Sequence, residues 1–557
     1  MNHEGISERA QMRSRRDNKN IWFPFWIGVA LAIGVFVGAK YGQFGTLGRV
    51  GSFGKLDAVL NYIQESYVDT VDTHRLIEDA LPHIIQELDP HSEYITAEQM
   101  KRVNEDLEGH FSGIGVSFYV LRDTIVVTQI VPGGPSEAAG IMPWDRIVTV
   151  DDSLMAGRPI KNEEVLKTLR GERGTEVTLG IRRDNGPELI DITVTRGDIP
   201  MNSVNATYML TDDIGYIKLG RNFGFNTFSE FITAISKLKS RGATGLIIDL
   251  RGNVGGALEV VVAMVNEFLQ KGDLIVYTEG REFPRNDNYA NGSGTCKEDD
   301  VVVLIDELSA SASEIFAGAI QDHDRGLVIG RRSFGKGLVQ SQRNFPDGSA
   351  VRLTVARYYT ASGRSIQRGY EKGKYAEYEM EALNRYLQGD YVNVDTMNNL
   401  TPYTTLGGRT VYGGDGIMPD IFMARDTTGI NSYYNSVVNR RLDEEYAMLY
   451  SDRHRDKLSG YATWQELRKY LLQQPLLLNL VSYADHHGIR RRPYYIQESS
   501  ELFENVMTAY IIRNFFGEEV FWEAYQQEDP LIRKGIELIE TGKTTREAVV
   551  NQAYLID

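Results

Sequence analysis

A chain of 557 residues is long enough for about three or four domains, and its 42% hydrophobic and 24% charged content is that of an ordinary globular protein. With 76 acidic against 60 basic side chains the net charge is −16, which argues against nucleic acid as a main partner. The single cysteine, Cys296, rules out an intrachain disulfide, and its polar surroundings (Asn291–Asp300) predict an exposed thiol. Residues 1–20 are polar and carry Arg9, Arg13, Arg15, Arg16 and Lys19; Ile21–Ala39 then runs without a charge. As a helix that stretch would span ~28 Å, close to the ~30 Å hydrocarbon core of a bilayer, with Trp22 and Trp26 at the interface. The basic residues before it predict a cytoplasmic N-terminus over 1–20, a transmembrane signal anchor over 21–39, and everything after residue 40 outside. A cleaved signal peptide is the rival, with Val37-Gly38-Ala39 as a processing site. The apolar run exceeds the roughly 7–15 residues of such peptides, which favours the anchor.

Residues 55–107 read as helical, interrupted by the proline-containing turn Leu88–Ile95 (LDPHSEYI). His91 beside Asp89 has no further ligand at a metal-binding spacing, so turn capping accounts for the pair. Next, Gly113-Ile114-Gly115-Val116 precede an extended segment. A loop of this kind aims several backbone N–H groups at one point and suits a peptide's terminal carboxylate. The edge strand Val116–Val120 would pair with the incoming chain, and Asn162–Arg170 would form the groove's other wall. With the run VPGGPSEAAGIMPWDRIVTVDD between them, residues 109–198 resemble a PDZ domain.

From Asn205 the pattern alternates between strand and helix: strand 214–219, helix Thr227–Ser240, a buried parallel-type strand Gly245–Leu250, the glycine-rich turn Arg251–Gly256, and the apolar helix Ala257–Leu269. Strand, glycine turn and helix also outline a nucleotide-binding loop, but neither G-x-G-x-x-G nor G-x-x-x-x-G-K-[ST] occurs there. Ser309, Ser311 and Ser313 alternate with alanines and lead into Ile315, Phe316, Ala319 and Ile320 at helical spacing. A serine in that turn has helix N–H groups beside it that stabilise an oxyanion. After strand-like Leu327–Ile329 comes Lys336 between Gly335 and Gly337, then an extended segment to Gln340. Strand alternation would put Lys336, Leu338 and Gln340 on one face. Burial disfavours an ammonium and lowers a lysine pKa by up to ~3–5 units, so a buried lysine serves as a base. Gln340 could hold the amine without the charge that a carboxylate would add. His323 is the nearest histidine, twelve residues past Ser311, or roughly 18 Å along a helix against the ~3 Å that proton transfer needs.

The stretches SASASEIFAGAIQDHDRG and SFGKGLVQ resemble the serine turn and lysine segment of the C-terminal (tail-specific) processing peptidases, PDZ-containing serine peptidases with a Ser–Lys dyad. LDPHSEYI, DLRGNVGG, AVRLTVARYYTASGRSIQ and GRTVYGGDGIMPDI resemble further phrases of that family, so the resemblance covers about residues 55–425. By position it implies Ser311 as nucleophile, Lys336 as base and Gln340 as the amide that orients it. It further implies an oxyanion hole from the amide of Gly255 or Gly256 together with that of Ala312. Val254 and Ala361 stand where relatives commonly carry proline. Residues 371–407 separate two of the phrases and read as an insertion or flexible loop without a core. Residues 427–557 read as a helical extension to which no function is assignable; its stripe Leu502, Phe503, Val506, Met507, Tyr510 and Ile511 reads as core.

The expected fold is α+β and multidomain: an N-terminal membrane helix, a helical region (55–107), a PDZ β-barrel (109–198), an α/β protease core of the crotonase/Clp-like kind (205–425) and a helical C-terminal extension (427–557). The resemblance implies a serine endopeptidase of the bacterial cell envelope, anchored in the inner membrane with its protease facing the periplasm. It would act without cofactor or metal on proteins with free C-termini, a second copy of itself or an adaptor protein being a further partner. Two other classes compete: a silent PDZ adaptor, disfavoured because Ser311, Lys336 and Gln340 are all present, and another acyl hydrolase on the same core.

Overall fold

The computed structural model describes residues 26–34, 52–183, 186, 188–388 and 400–552. The chain divides into two compact units, residues 1–83 and 84–557. The first holds a helix over residues 26–34, α1 (Ser52–Ser66) and most of α2 (Thr73–Gln86). Much of the expected membrane segment 21–39 lies outside the described residues. Among those described, no helix is long and apolar enough to cross a membrane.

β1 (Glu93–Ile95) and α3 (Ala97–Glu108) open the second unit. Local chemistry fixes both ends of α3. Thr96 Oγ1 accepts the Gln99 N–H while Gln99 Oε1 accepts the Thr96 N–H, and Gly109 ends the helix at φ 72°. An antiparallel sheet follows in the order β2 (Val116–Leu121), β3 (Thr124–Ile130), β4 (Arg146–Val150), β5 (Glu176–Arg182), β6 (Ile190–Thr195), with α4 (Asn162–Leu169) after β4 in the chain. Ile125, Val127, Ile147, Leu179 and Ile181 on the strands close against Val165 and Leu169 of α4. β2 is the edge strand, as its sequence predicts.

The central sheet runs β7 (Val204–Met209), β8 (Ile214–Leu219), β9 (Gly245–Asp249), β11 (Asp300–Ile305), β12 (Leu327–Gly330), β15 (Ile421–Phe422) and is parallel from β8 onward. Every residue of β8 and β9 is buried, so the sheet needs cover on both faces. On one face lie α5 (Thr227–Lys239), α6 (Leu258–Asn266) and α7 (Ala312–Asp322); Phe231, Phe316 and Phe268, the last just past the end of α6, meet edge-on or tilted with centroids 5.7–6.3 Å apart. The other face is covered from the C-terminal extension. Leu531, Ile532, Leu538 and Ile539 of α12 (Pro530–Glu540) pack on Tyr216, Ile247, Val302 and Ile329, each buried side chain contributing about 1.5–3 kcal/mol. A second sheet joins β1, β14 (Ala350–Thr360), β10 (Leu274–Glu279) and β13 (Leu338–Asn344). The rest of the extension is helical and includes α9 (Leu442–Leu458), α10 (Ser500–Phe516) and α11 (Glu518–Tyr525). Phe503, Val506, Met507 and Ile511 of the expected stripe are buried in its core.

Three local expectations are corrected. Cys296 is fully buried, because Glu267 takes the Thr295 N–H on its side chain and the Cys296 N–H on its carbonyl and folds the loop inward; burial pushes the thiol up to about 12. Residues 371–407 are not all loop: α8 (Tyr375–Gln388) forms and docks. β13 begins only at Leu338, with a register shift between Val339 and Gln340, so strand alternation does not relate Lys336 to Gln340.

Candidate active site

Two turns meet at the C-terminal ends of the neighbouring parallel strands β9 and β11, where open α/β sheets place their sites. After β9 comes Arg251–Gly256; after β11 comes the turn that ends at Ser311, the residue before α7. Gly255 has φ 87°, and a Cβ on it would lie 2.6 Å from Ala312 N and 2.7 Å from Ala310 O. Only glycine lets the turns approach this closely. Asn253 locks the contact: its Oδ1 accepts the Gly255 N–H (2.9 Å) and the Ser313 hydroxyl (2.5 Å), and its carbonyl accepts the Ala310 N–H (3.0 Å).

These bonds separate the three serines. Ser309 is fully buried and its Oγ donates to the Leu250 carbonyl (2.9 Å); Ser313 is fully buried on Asn253. Ser311 is partly exposed, and its hydroxyl donates to no group among the described residues, its oxygen facing the Glu314 N–H in the helix cap. Its backbone stands at φ 56°, ψ −116°, a conformation that costs a residue with a Cβ about 1–3 kcal/mol and persists only where its surroundings impose it.

What imposes it is Glu314, which the sequence reading passed over. Its fully buried carboxylate accepts the Ser311 N–H (2.7 Å) and the Lys336 N–H (2.9 Å) on Oε2, and the Ser333 hydroxyl (2.5 Å) and the Gly335 N–H (2.7 Å) on Oε1. Burial pushes this carboxyl up, and the four donors pull it back. Opposite, the Tyr358 hydroxyl donates to the carbonyls of Ser311 (3.0 Å) and Lys336 (2.6 Å). The main chains of Ser311 and Lys336 are therefore bridged at both their N–H and their C=O groups. The spacing Ser311-x-x-Glu314 is itself the signature of a helix cap, a signal available in the sequence. Nothing comparable marks Tyr358.

Burial depresses the Lys336 amine below the usual lysine value; Glu93 pulls it back up and Arg352 pushes it further down. Its Nζ makes no hydrogen bond or ion pair among the described residues, with Ser311 Oγ or with Gln340. The Gln340 amide instead donates to the His91 carbonyl. Asp89 caps that turn as expected, accepting the N–H groups of His91 (2.9 Å) and Ser92 (2.8 Å). The His91 ring, held neutral by burial at a pKa of about 3, meets the Tyr378 hydroxyl of α8 at 3.1 Å. From the same helix Arg385 donates to the carbonyls of Arg332 and Ser333, and Arg368 lies 4.0 Å from the Tyr378 ring and 4.9 Å from that of Phe334. α8 thus braces the lysine turn.

Of the expected oxyanion donors, Gly255 has its N–H taken by Asn253. The N–H groups of Gly256 and Ala312 have no acceptor among the described residues. Val254, where proline was expected, has its N–H satisfied by the Arg221 carbonyl (2.8 Å). His323 lies at the far end of α7, on the Leu274 carbonyl at 2.7 Å. At the entry to β2, Gly115 has φ 76° and the Ile114 carbonyl accepts the Ser136 N–H, which shapes the turn between Gly113, paired with Gly197, and Val116. Behind the Arg251–Gly256 turn, Asp249 is buried; burial would raise its carboxyl, but Arg251 and Lys218 hold it well below the usual range. Arg251 also pairs with Asp529, the N-cap of α12, at 2.8 Å.

Comparison with known proteins places these parts. Residues 213–372 match Peptidase family S41, residues 112–194 match the PDZ domain family, and residues 433–517 match a family of unknown function, DUF8443. The chain is 34% identical over 363 residues to a probable CtpA-like serine protease of Staphylococcus haemolyticus (strain JCSC1435), covering 63% of this chain and 72% of the relative. It is 32% identical over 376 residues to a probable CtpA-like serine protease of Staphylococcus aureus (strain N315), covering 65% and 74%. Among solved structures it is similar to a photosystem II D1 C-terminal processing protease at 28% identity, with a TM-score of 0.31 over 55% of this chain and 88% of that one. The two sequence relatives, with the family matches that fall on the parallel sheet and on the β2–β6 domain, decide the assignment: the chain belongs to peptidase family S41 and is a serine peptidase carrying a PDZ domain.

Proposed function

We propose that this peptidase captures the free C-terminus of an unstructured protein in its PDZ domain and cleaves the chain at Ser311. The observation that carries the reading is the double bridge, Glu314 on the N–H side and Tyr358 on the C=O side, that holds Ser311 beside Lys336. The neutral Lys336 amine takes the Ser311 hydroxyl proton as Oγ attacks the scissile carbonyl. The N–H groups of Gly256 and Ala312 receive the developing oxyanion. Collapse of the tetrahedral intermediate breaks the C–N bond, and the Lys336 ammonium returns its proton to the leaving amine. Water, deprotonated by the same amine, then attacks the acyl-enzyme and frees Ser311. Ser311 and Lys336 are not hydrogen-bonded to each other among the described residues, and substrate binding commonly tightens such a contact. Gln340 would leave the His91 carbonyl and orient the amine. A cut beyond the captured end, not an esterase activity, is favoured by the PDZ edge strand β2, whose loop offers amides to a carboxylate.

Amidating the C-terminus of an unfolded substrate removes the charge that the Gly113–Val116 loop reads, so cleavage at a distant internal bond is expected to slow by about tenfold or more. Equal rates for amidated and free-acid substrates, followed by mass spectrometry of the products, would overturn C-terminal recognition without touching the dyad.

The proposal extends to location. Residues 21–39 serve as an uncleaved anchor, supported by their length, lack of charge and basic flank, and place the peptidase outside the inner membrane. A reporter active only outside the cytoplasm, fused after residue 45, is expected to be active. Activity of a cytoplasmic-type reporter at that point reverses the topology, and a mature chain beginning at Lys40 replaces anchoring by cleavage.

A further inference from the structure

The helices matched only to a family of unknown function do more than fill space. They pack against the outer side of the PDZ domain: Met448 and Leu449 of α9 bury Leu121 and Val126, Arg146 pairs with Asp452 at 2.7 Å, and Gln129 Nε2 donates to the Arg513 carbonyl at 2.9 Å. Between the two domains remains a cavity of about 220 Å³. From the PDZ side it is lined by Ser117 and Tyr119 of β2 and by Asn162, the first residue of α4. From the helical side Arg441, Glu444 and Arg513 line it. Thr128 and Gln129 of β3 line it too, so the cavity lies over the outer face of β2 and reaches Asn162 across that strand's free edge, where an added strand would lie.

The geometry points to this cavity as a subsite for the bound tail: we infer that the helical domain reads acidic side chains on the outward face of the captured C-terminus through Arg441 and Arg513. The inference rests on the reading that the PDZ domain captures free C-termini. A tail whose carboxylate sits at Gly113–Val116 runs antiparallel to β2, and its side chains alternate between two faces. The terminal side chain turns inward to the apolar core beside Val116 and Phe118. The penultimate and fourth-from-last side chains then share the outward face with Ser117 and Tyr119, toward the helices.

Donor count selects their chemistry. Both oxygens of Glu444 are engaged, Oε1 by Arg513 (2.8 Å) and Oε2 by Arg441 Nε (2.8 Å) and Nη2. Arg441 Nη1, and Nε and Nη1 of Arg513, have no hydrogen-bond partner among the described residues. Glu444 and Glu518 line the cavity beside the two arginines, and Asp443 and Glu445 act on Tyr119, so selection rests on the unspent guanidinium donors and not on a net positive charge. Glu518, also on the wall, is pushed toward its neutral form by burial, with Arg513 opposing. A carboxylate in the tail would accept from the free guanidinium N–H groups. Glu444 and solvent offset part of that attraction, so the expected discrimination is modest.

The test uses the full chain with Ser311→Ala, so that nothing is cleaved, and fluorescein-labelled octapeptides ending in valine. The fourth-from-last residue is glutamate, alanine or lysine, each peptide being made with a free and an amidated C-terminus. By anisotropy, the glutamate peptide is expected to bind about fivefold more tightly than the lysine peptide. Arg441→Ala should reduce that ratio to about twofold, and Arg441→Glu should abolish or reverse it, with discrimination of free acid from amide unchanged. Arg441 is largely exposed, with 60% of its side chain in contact with solvent, so these variants fold. If free acids still outbind amides but glutamate and lysine peptides bind alike, or if the glutamate preference survives Arg441→Glu, the subsite is overturned and C-terminal capture stands. If amides bind as well as free acids, C-terminal capture itself falls and the subsite with it.

Discussion

Lys336→Ala is expected to lower kcat/KM for peptide cleavage by about 10³-fold or more while leaving Tm near the wild-type value. Among the described residues no histidine is suited to substitute: His323 is bound at the far end of α7, and the His91 ring, though close to Lys336, is held by burial at a pKa of about 3, too weak a base. Lys336→Arg should fail equally, because a guanidinium stays protonated at any working pH. The pH profile carries the sign of the mechanism. The amine acts only when neutral, so activity rises with pH through the Lys336 pKa, and burial sets that pKa below the ordinary lysine value. Glu93 stabilises the ammonium, so Glu93→Gln should move the acid limb to lower pH. It also frees Arg352, paired with Glu93 at 2.9 Å, to act in the same direction. Turnover near the wild-type rate in Lys336→Ala would sink the dyad; an acid limb that moves upward in Glu93→Gln would sink the assignment of that limb to Lys336.

Glu314→Gln is expected to lower kcat by about 10²-fold or more although the side chain touches no substrate. The carboxylate accepts four hydrogen bonds, from Ser311, Lys336, Gly335 and Ser333, and a carboxamide of the same size turns one acceptor oxygen into a donor. An N–H₂ at the Oε2 position opposes the Ser311 and Lys336 N–H groups, and at the Oε1 position it opposes the Gly335 N–H while the Ser333 hydroxyl turns to accept from it. Glu314→Ala removes every acceptor and should also lower stability by about 3 kcal/mol or more. Comparing kcat with Tm for the two variants separates positioning from folding: Gln should lose far more rate than stability. A glutamine variant with wild-type kcat would show that the bridge does not set the nucleophile.

The two domains that carry chemistry were legible because their signals are local. A glycine that must take φ 87° against Ala312, a serine run leading into an apolar helix, and short apolar runs such as Leu246–Ile248 and Val301–Ile305 each write themselves into a few consecutive residues. So do the edge strand from Val116 and the helix from Asn162, found where the sequence places them. What the sequence could not decide depends on residues far apart in the chain. The availability of Ser311 over Ser309 and Ser313 is a matter of which hydroxyls the Leu250 carbonyl and Asn253 consume. α8 read as loop because its docking surface is made of Arg385, Tyr378 and Glu381 where an aliphatic stripe would have been visible. Gln340 was placed by strand alternation, and a strand that starts two residues after Lys336 and then shifts register removes that relation. The C-terminal helices showed their own core in their periodicity, but not what they cover. Only the tertiary structure sets α12 on the open face of the protease sheet and α9 against the PDZ domain, because burial of a face is a property of two surfaces and a sequence shows each of them alone.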